Sequence, residues 1–145
     1  MKQGLFLYFS AMVFFLFFSC SQKQPPAKTT PPKVQRFGMV TGIKPEKIPY
    51  YKQLHAAVWP AVRNKIKECH IQHYSIYLKE VDGKPYLFSY FEYTGDDFDA
   101  DMQKMAADSA TRRWWRETDP AQRPLPDAAA KKQIWSPMEE VFHLQ

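Results

Sequence analysis

Residues 71–93 read IQHYSIYLKEVDGKPYLFSYFEY, two runs rich in β-branched and aromatic side chains on either side of Asp82-Gly83. A two-residue turn of the hairpin kind needs positive φ at its centre, and Asp-Gly is among the pairs that supply it most cheaply. The stretch therefore predicts two paired strands, Ile71–Glu80 and Pro85–Tyr93, at the middle of a sheet.

Upstream, Arg36 to Thr41 alternates around Phe37 and Met39 and ends at Gly42, which suits a first strand. Pro45 then sits where the first turn of a helix accepts it, and Ile48, Tyr51, His55, Val58, Val62 and Ile66 recur at three- and four-residue intervals. They draw one stripe down a helix that Pro60 is expected to kink. Downstream, Asp96 and Asp97 can cap a second helix with Phe98, Met102 and Met105 on its face, and Thr111 to Arg116 reads as a further helical turn or short helix. Asp119 to Asp127 reads as a proline-rich loop, and Met138 to Leu144 alternates again as a closing strand. Strand, helix, strand, strand, helix, strand argues for an α+β sandwich, an antiparallel sheet with helices on one face. The other face would carry aromatic side chains, and a second copy of the chain is the simplest cover for it.

The chain has 145 residues and a formal charge of +5, but four lysines (Lys2, Lys23, Lys28, Lys33) precede Arg36 and no acidic residue does. From Arg36 onward 16 basic residues face 15 acidic ones, with only a short basic run at Arg112, Arg113 and Arg116. A nucleic-acid groove needs a clustered excess of positive charge, so that function class is set aside. Cys20 and Cys69 are the only cysteines, and no Cys/His set has zinc-ligand spacing. A phosphate-cradling glycine-rich loop is also lacking.

The first third of the chain is different in kind. Lys2 gives a positive start, Leu5 to Phe18 is an almost unbroken apolar run of 14 residues, and small Ser19 precedes Cys20. The run is short of the roughly 20 residues that a membrane span needs and has the length of a cleaved export signal. A cysteine at that point resembles the bacterial lipobox, whose cysteine is acylated after export. Residues 1–19 are thus expected to be a lipoprotein signal peptide, Cys20 the lipidation site and residues 20–35 a Pro/Lys-rich tether, with the folded domain spanning 36–145. The expected location is the periplasm or cell envelope, with a lipid holding the chain to a membrane.

Within the domain, Tyr51 and His55 lie one helical turn apart on the apolar stripe. An imidazole titrates near neutrality and a phenol beside it can orient a hydroxyl, although a histidine on such a stripe can equally be a satisfied core residue. Trp114 and Trp115 differ in direction by about a third of a turn, so one can line a pocket while the other flanks it. Indole faces suit the C–H surface of a sugar, and equally suit a core. Tyr74 and Tyr77, three apart on a strand, point to opposite sheet faces.

Four segments in order, Tyr51-Lys-Gln-Leu-His55-Ala-Ala-Val-Trp59-Pro60, His73-Tyr74-Ser-Ile-Tyr77-Leu78, Arg113-Trp114-Trp115 and Glu139-Glu140-Val-Phe142, resemble motifs of the L-rhamnose mutarotase family. The resemblance covers roughly Arg36 to Leu144. It implies a dimeric ferredoxin-like α+β barrel that interconverts the anomers of L-rhamnose without a metal or other cofactor. By motif position it makes His55 the proton donor, places Tyr51, Tyr74, Trp114 and Trp115 on the sugar, and gives Glu140 a supporting place. The second proton group is left open between Tyr51, Glu140 and a bound water. Relatives that serve rhamnose catabolism are cytoplasmic, so an exported member would meet a sugar outside the cytoplasm, L-rhamnose, L-fucose or another.

Two other readings compete with the enzyme. One is a monosaccharide-binding lipoprotein that keeps the aromatic platform without catalysis. The other rests on fold analogy alone and makes His55 a haem ligand.

Overall fold

The computed structural model describes residues 33–144, so the expected signal, Cys20 and most of the tether lie outside the described residues. Strand β1 (Gln35–Ile43) lies beside β3 (Lys84–Tyr93), which pairs in turn with β2 (Ile71–Val81). The fourth place, on the other edge of β1, is shared by β4 (Gln122–Arg123) and β5 (Ser136–Met138), and every pairing is antiparallel. Asp82 and Gly83 both have positive φ, 49° and 68°, and join β2 to β3 with Val81 opposite Lys84. The hairpin is the expected one.

Four helices, α1 (Ile48–Ala56), α2 (Pro60–Glu68), α3 (Phe98–Ala107) and α4 (Ser109–Thr118), pack on one face of the sheet. Alternation decides which strand residues meet them. Leu87, Ser89, Phe91 and Tyr93 of β3 are buried toward the helices, while Tyr86, Phe88, Tyr90 and Glu92 between them point away. Cys69 is fully buried beside Ile71, Phe91, Tyr93 and Met105, so it packs as a small apolar residue. Among the described residues no helix is long and apolar enough to cross a membrane.

Three expectations need correction. The single kinked helix is two helices. Pro60 has no N–H to bond back and pushes Trp59 to an extended ψ of 133°, so the chain leaves α1 at Ala57 and restarts with Pro60 as the first residue of α2. The short helix expected around Thr111 to Arg116 is present as α4, whose start is fixed by the Asp108 carboxylate accepting from the Thr111 N–H at 2.7 Å. Of the two aspartates able to cap α3, Asp97 does so, accepting from the Ala100 N–H.

The stretch from Asp119 to Asp127 is more ordered than a loop: a 3-10 turn Asp119–Ala121, then β4, then the start of a short α5 (Pro126–Ala130). Gly42 makes room for it, because a Cβ there would lie 2.8 Å from the Arg123 carbonyl oxygen. The closing strand begins and ends earlier than expected, at Ser136–Met138. Beyond it Val141, Phe142 and Leu144 are largely exposed, so the alternation of this tail serves no surface within a single copy of the chain.

Candidate active site

A cleft of about 1380 Å³ opens between the helices and the inner face of the sheet, ample for a monosaccharide. Its floor comes from the strands, with Phe37 and Met39 of β1, Ile76 of β2, and Leu87 and Phe91 of β3. Its wall comes from α1 and α4, which bring Tyr51, His55, Trp114 and Trp115 to the same space. The four residues that motif position assigned to the sugar, and the histidine assigned to the proton, all line this one cleft.

His55 is half-buried, its ring stacked on Tyr51 at 4.1 Å between centroids and meeting the edge of Trp114 at 5.2 Å. Its Nδ1 lies 2.9 Å from the Tyr51 carbonyl oxygen, one turn back along α1. A carbonyl only accepts, so Nδ1 carries the hydrogen, and in the neutral ring Nε2 is left with a free lone pair. Burial lowers the pKa of His55, opposed by that backbone bond, which keeps the ring neutral at physiological pH. Nε2 is therefore a proton acceptor first, and a donor once it has taken a proton.

Tyr51 is buried, and burial pushes its phenol far up, with the Tyr74 phenol adding to the effect and the neighbouring Gln122 side chain opposing it. Such a hydroxyl stays protonated and can orient a substrate oxygen. Trp114 is only 6% exposed and packs edge-on to Trp59 at 5.3 Å, anchoring the wall in the core formed with Val62 and Ala110. Trp115, half-buried, is the freer of the two indoles.

Tyr74 reaches the cleft because β2 is irregular. Gln72 pairs with Glu92 and Ser75 with Tyr90, so β2 carries one residue more than β3 between those pairs. His73, at φ 50°, takes up the extra length. Strict alternation from Gln72, which points outward with Glu92, would have put Tyr74 on the outer face. The bulge instead lays it on Phe91, rings 5.5 Å apart; the residue as a whole is 43% exposed, and desolvation on the cleft side pushes its phenol up to about 12. Tyr77, past the bulge, pairs with Phe88 on the outer face and is 62% exposed.

Glu140 does not join this group. Its carboxylate accepts from Arg36 Nε at 2.7 Å, away from the cleft lining. Asp119, by contrast, lines the cleft and was read from the sequence only as the start of a loop. The available signal was its place at the end of the tryptophan-bearing helix, one turn after Trp115. Trp59 was part of a quoted motif, but its role as a brace for Trp114 depends on the break at Pro60.

Comparison with known proteins gives one consistent answer. The family model for L-rhamnose mutarotase matches residues 36–144. The chain is 29% identical over 111 residues to the L-rhamnose mutarotase of Bacillus subtilis, covering 77% of this chain and 99% of that protein. To that of Ligilactobacillus salivarius it is 30% identical over 112 residues, covering 75% and 96%. Among solved structures, it resembles the L-rhamnose mutarotase of Formosa agariphila with a TM-score of 0.57 at 22% identity, over 77% of this chain and 99% of that one, a likeness of fold.

Proposed function

The chain belongs to the L-rhamnose mutarotase family, and from that premise we propose how its cleft acts on a sugar. It is an isomerase that interconverts the α and β anomers of L-rhamnose or a similar deoxy sugar. Mutarotation removes the proton of the anomeric hydroxyl, breaks the bond between C1 and the ring oxygen, protonates that oxygen, and recloses the ring on the other face of the aldehyde. The observation that carries the proposal is the Nε2 lone pair of His55, fixed in direction by the Tyr51 carbonyl on a cleft wall of aromatic rings. His55 exchanges the proton with the sugar, taking it on opening and donating it on closure. Tyr51, Tyr74 and the two tryptophans hold the pyranose, the phenols by hydrogen bonds and an indole by its face.

The test is exchange between the anomeric NMR signals of L-rhamnose. A mutarotase at a concentration far below the sugar's accelerates exchange between the two anomers. A binding protein without catalysis shifts the signals only at stoichiometric amounts, and that result would replace the enzyme with the binding reading.

The working unit we propose is a homodimer. The outer face of the sheet carries Val40, Tyr77, Tyr86, Phe88 and Tyr90, and the exposed Val141, Phe142 and Leu144 extend beyond its edge. Such an area of apolar and aromatic surface is a cost in water that a second copy removes. For the residues outside the described range, the proposal follows the sequence: export by residues 1–19, acylation of Cys20, and a tether that leaves the domain in the periplasm or cell envelope.

A further inference from the structure

We propose that Asp119 is the second proton-transfer group, the partner of His55 across the sugar. The inference rests on the mutarotase reading and adds the residue that the motifs left unassigned. Ring opening needs a base for the anomeric hydroxyl and an acid for the ring oxygen, and the structure offers few groups for the second role.

The cleft-lining residues include one carboxylic acid, Asp119. The phenols of Tyr51, which is buried, and Tyr74, which faces the cleft, are both raised above their ordinary value and are poor at giving and recovering a proton near neutrality. Glu140 is engaged by Arg36 outside the cleft, and Lys52, Arg63, Lys67 and His73 lie on the exposed flanks of its rim. Asp119 is half-buried and close enough to the Tyr51 phenol for its charge to be felt there. Since Tyr51 stacks on His55, the carboxyl and the imidazole share one neighbour.

The backbone of Asp119 is held from two sides. Its N–H donates to the Trp115 carbonyl at the end of α4, while the next two residues are tied to Lys44 after β1, Lys44 Nζ donating to the Pro120 carbonyl at 2.8 Å and the Lys44 N–H to the Ala121 carbonyl at 2.9 Å. A group fixed in this way needs little reorganisation at the moment of reaction. Burial raises the Asp119 carboxyl, with the Thr118 hydroxyl opposing, and lowers His55, so the two groups approach one another in proton affinity. A reaction that runs both ways at nearly equal free energy favours such matching. A bound sugar that displaces water from the carboxyl raises it further.

The step balances. His55 Nε2 takes the proton of the anomeric hydroxyl as the bond between C1 and the ring oxygen breaks, and the Asp119 carboxyl gives its proton to that oxygen. The aldehyde turns about the C1–C2 bond. The ring oxygen then adds to the other face of C1 and returns its proton to Asp119, while His55 returns the first proton to the carbonyl oxygen.

The experiment measures anomer exchange of L-rhamnose by the full domain and by Asp119→Asn, with kcat and KM separated and folding followed by thermal unfolding. Loss of about 30-fold or more in kcat, with KM changed less than threefold, is expected from removal of a positioned acid. A smaller loss in kcat, or one confined to KM, overturns the proposal. The pH profile of kcat for the unaltered protein is the second measurement, and it decides if the Asn variant fails to fold: two limbs are expected, and a single limb overturns the pairing. Should the unaltered protein itself leave exchange at the spontaneous rate, the mutarotase reading falls and Asp119 with it, which distinguishes that failure from a normally active Asp119→Asn.

Discussion

His55 Nδ1 lies 2.9 Å from the main-chain carbonyl oxygen of Tyr51, one turn earlier on α1, and this single bond sets the tautomer on which the chemistry depends. Because both groups are on one helix, the direction of Nε2 follows from helical geometry and does not depend on a distant loop.

The first prediction concerns pH. Burial lowers the His55 pKa, so the neutral ring with its free Nε2 persists to a lower pH than an exposed imidazole would allow. As pH falls through that lowered value the lone pair is protonated and kcat/KM declines, about tenfold per pH unit once below it. The acid limb of the kcat/KM profile for L-rhamnose should therefore lie below the ordinary imidazole value of about 6.5. A decline starting above that value would show that His55 is not shielded as described.

The two adjacent tryptophans should separate experimentally. Trp114 braces Trp59 and His55 in a buried cluster, so Trp114→Ala should cost about 3–5 kcal/mol of stability as well as activity. Trp115 is half-buried on the same cleft, and Trp115→Ala should raise KM with a smaller loss of stability. Denaturant unfolding beside kinetics checks both, and equal losses of stability would contradict the assignment.

Much of this arrangement was legible in the residues themselves. The hairpin followed from Asp82-Gly83, the helical stripe placed Tyr51 under His55, and the Phe37 and Met39 alternation marked the inner face of β1. What stayed hidden depended on long-range contacts. Asp119 enters the cleft because Lys44 ties the following turn to the end of β1, and nothing local to the sequence around Asp119 announces that tie. The break at Pro60 was visible as a kink, but whether a proline bends or ends a helix depends on what receives the second half, here the cluster of Val62 with Trp114.

The bulge in β2 gives a third prediction. Deleting His73 makes Tyr74 the direct successor of Gln72, which by alternation leaves it opposite Phe91 on the inner face, whereas Tyr74→Phe takes away the hydroxyl, so only the latter costs the sugar a hydrogen-bonding phenol. With Tyr74→Phe affinity should fall by roughly three- to tenfold, the worth of one ordinary hydrogen bond. His73→Gly keeps the residue count and tolerates a φ of 50°, so it should bind as the unaltered protein does. Titration calorimetry with the sugar distinguishes them.

The outer sheet face gives a fourth. Tyr77 and Phe88 are paired across β2 and β3 on that face, and replacing both with Glu puts two like charges into the surface proposed to join two copies. Sedimentation should show a dimer for the unaltered domain and a monomer for Tyr77→Glu/Phe88→Glu. A monomer in both would remove the homodimer.

The central claim is that the His55 imidazole moves a proton to and from the sugar. It is tested most directly by the rate of anomer exchange of L-rhamnose with His55→Ala, measured beside binding of the same sugar. The account predicts a loss of about 10²–10⁴ in the catalysed rate while the sugar is still bound. A variant that exchanges anomers as fast as the unaltered protein would contradict it.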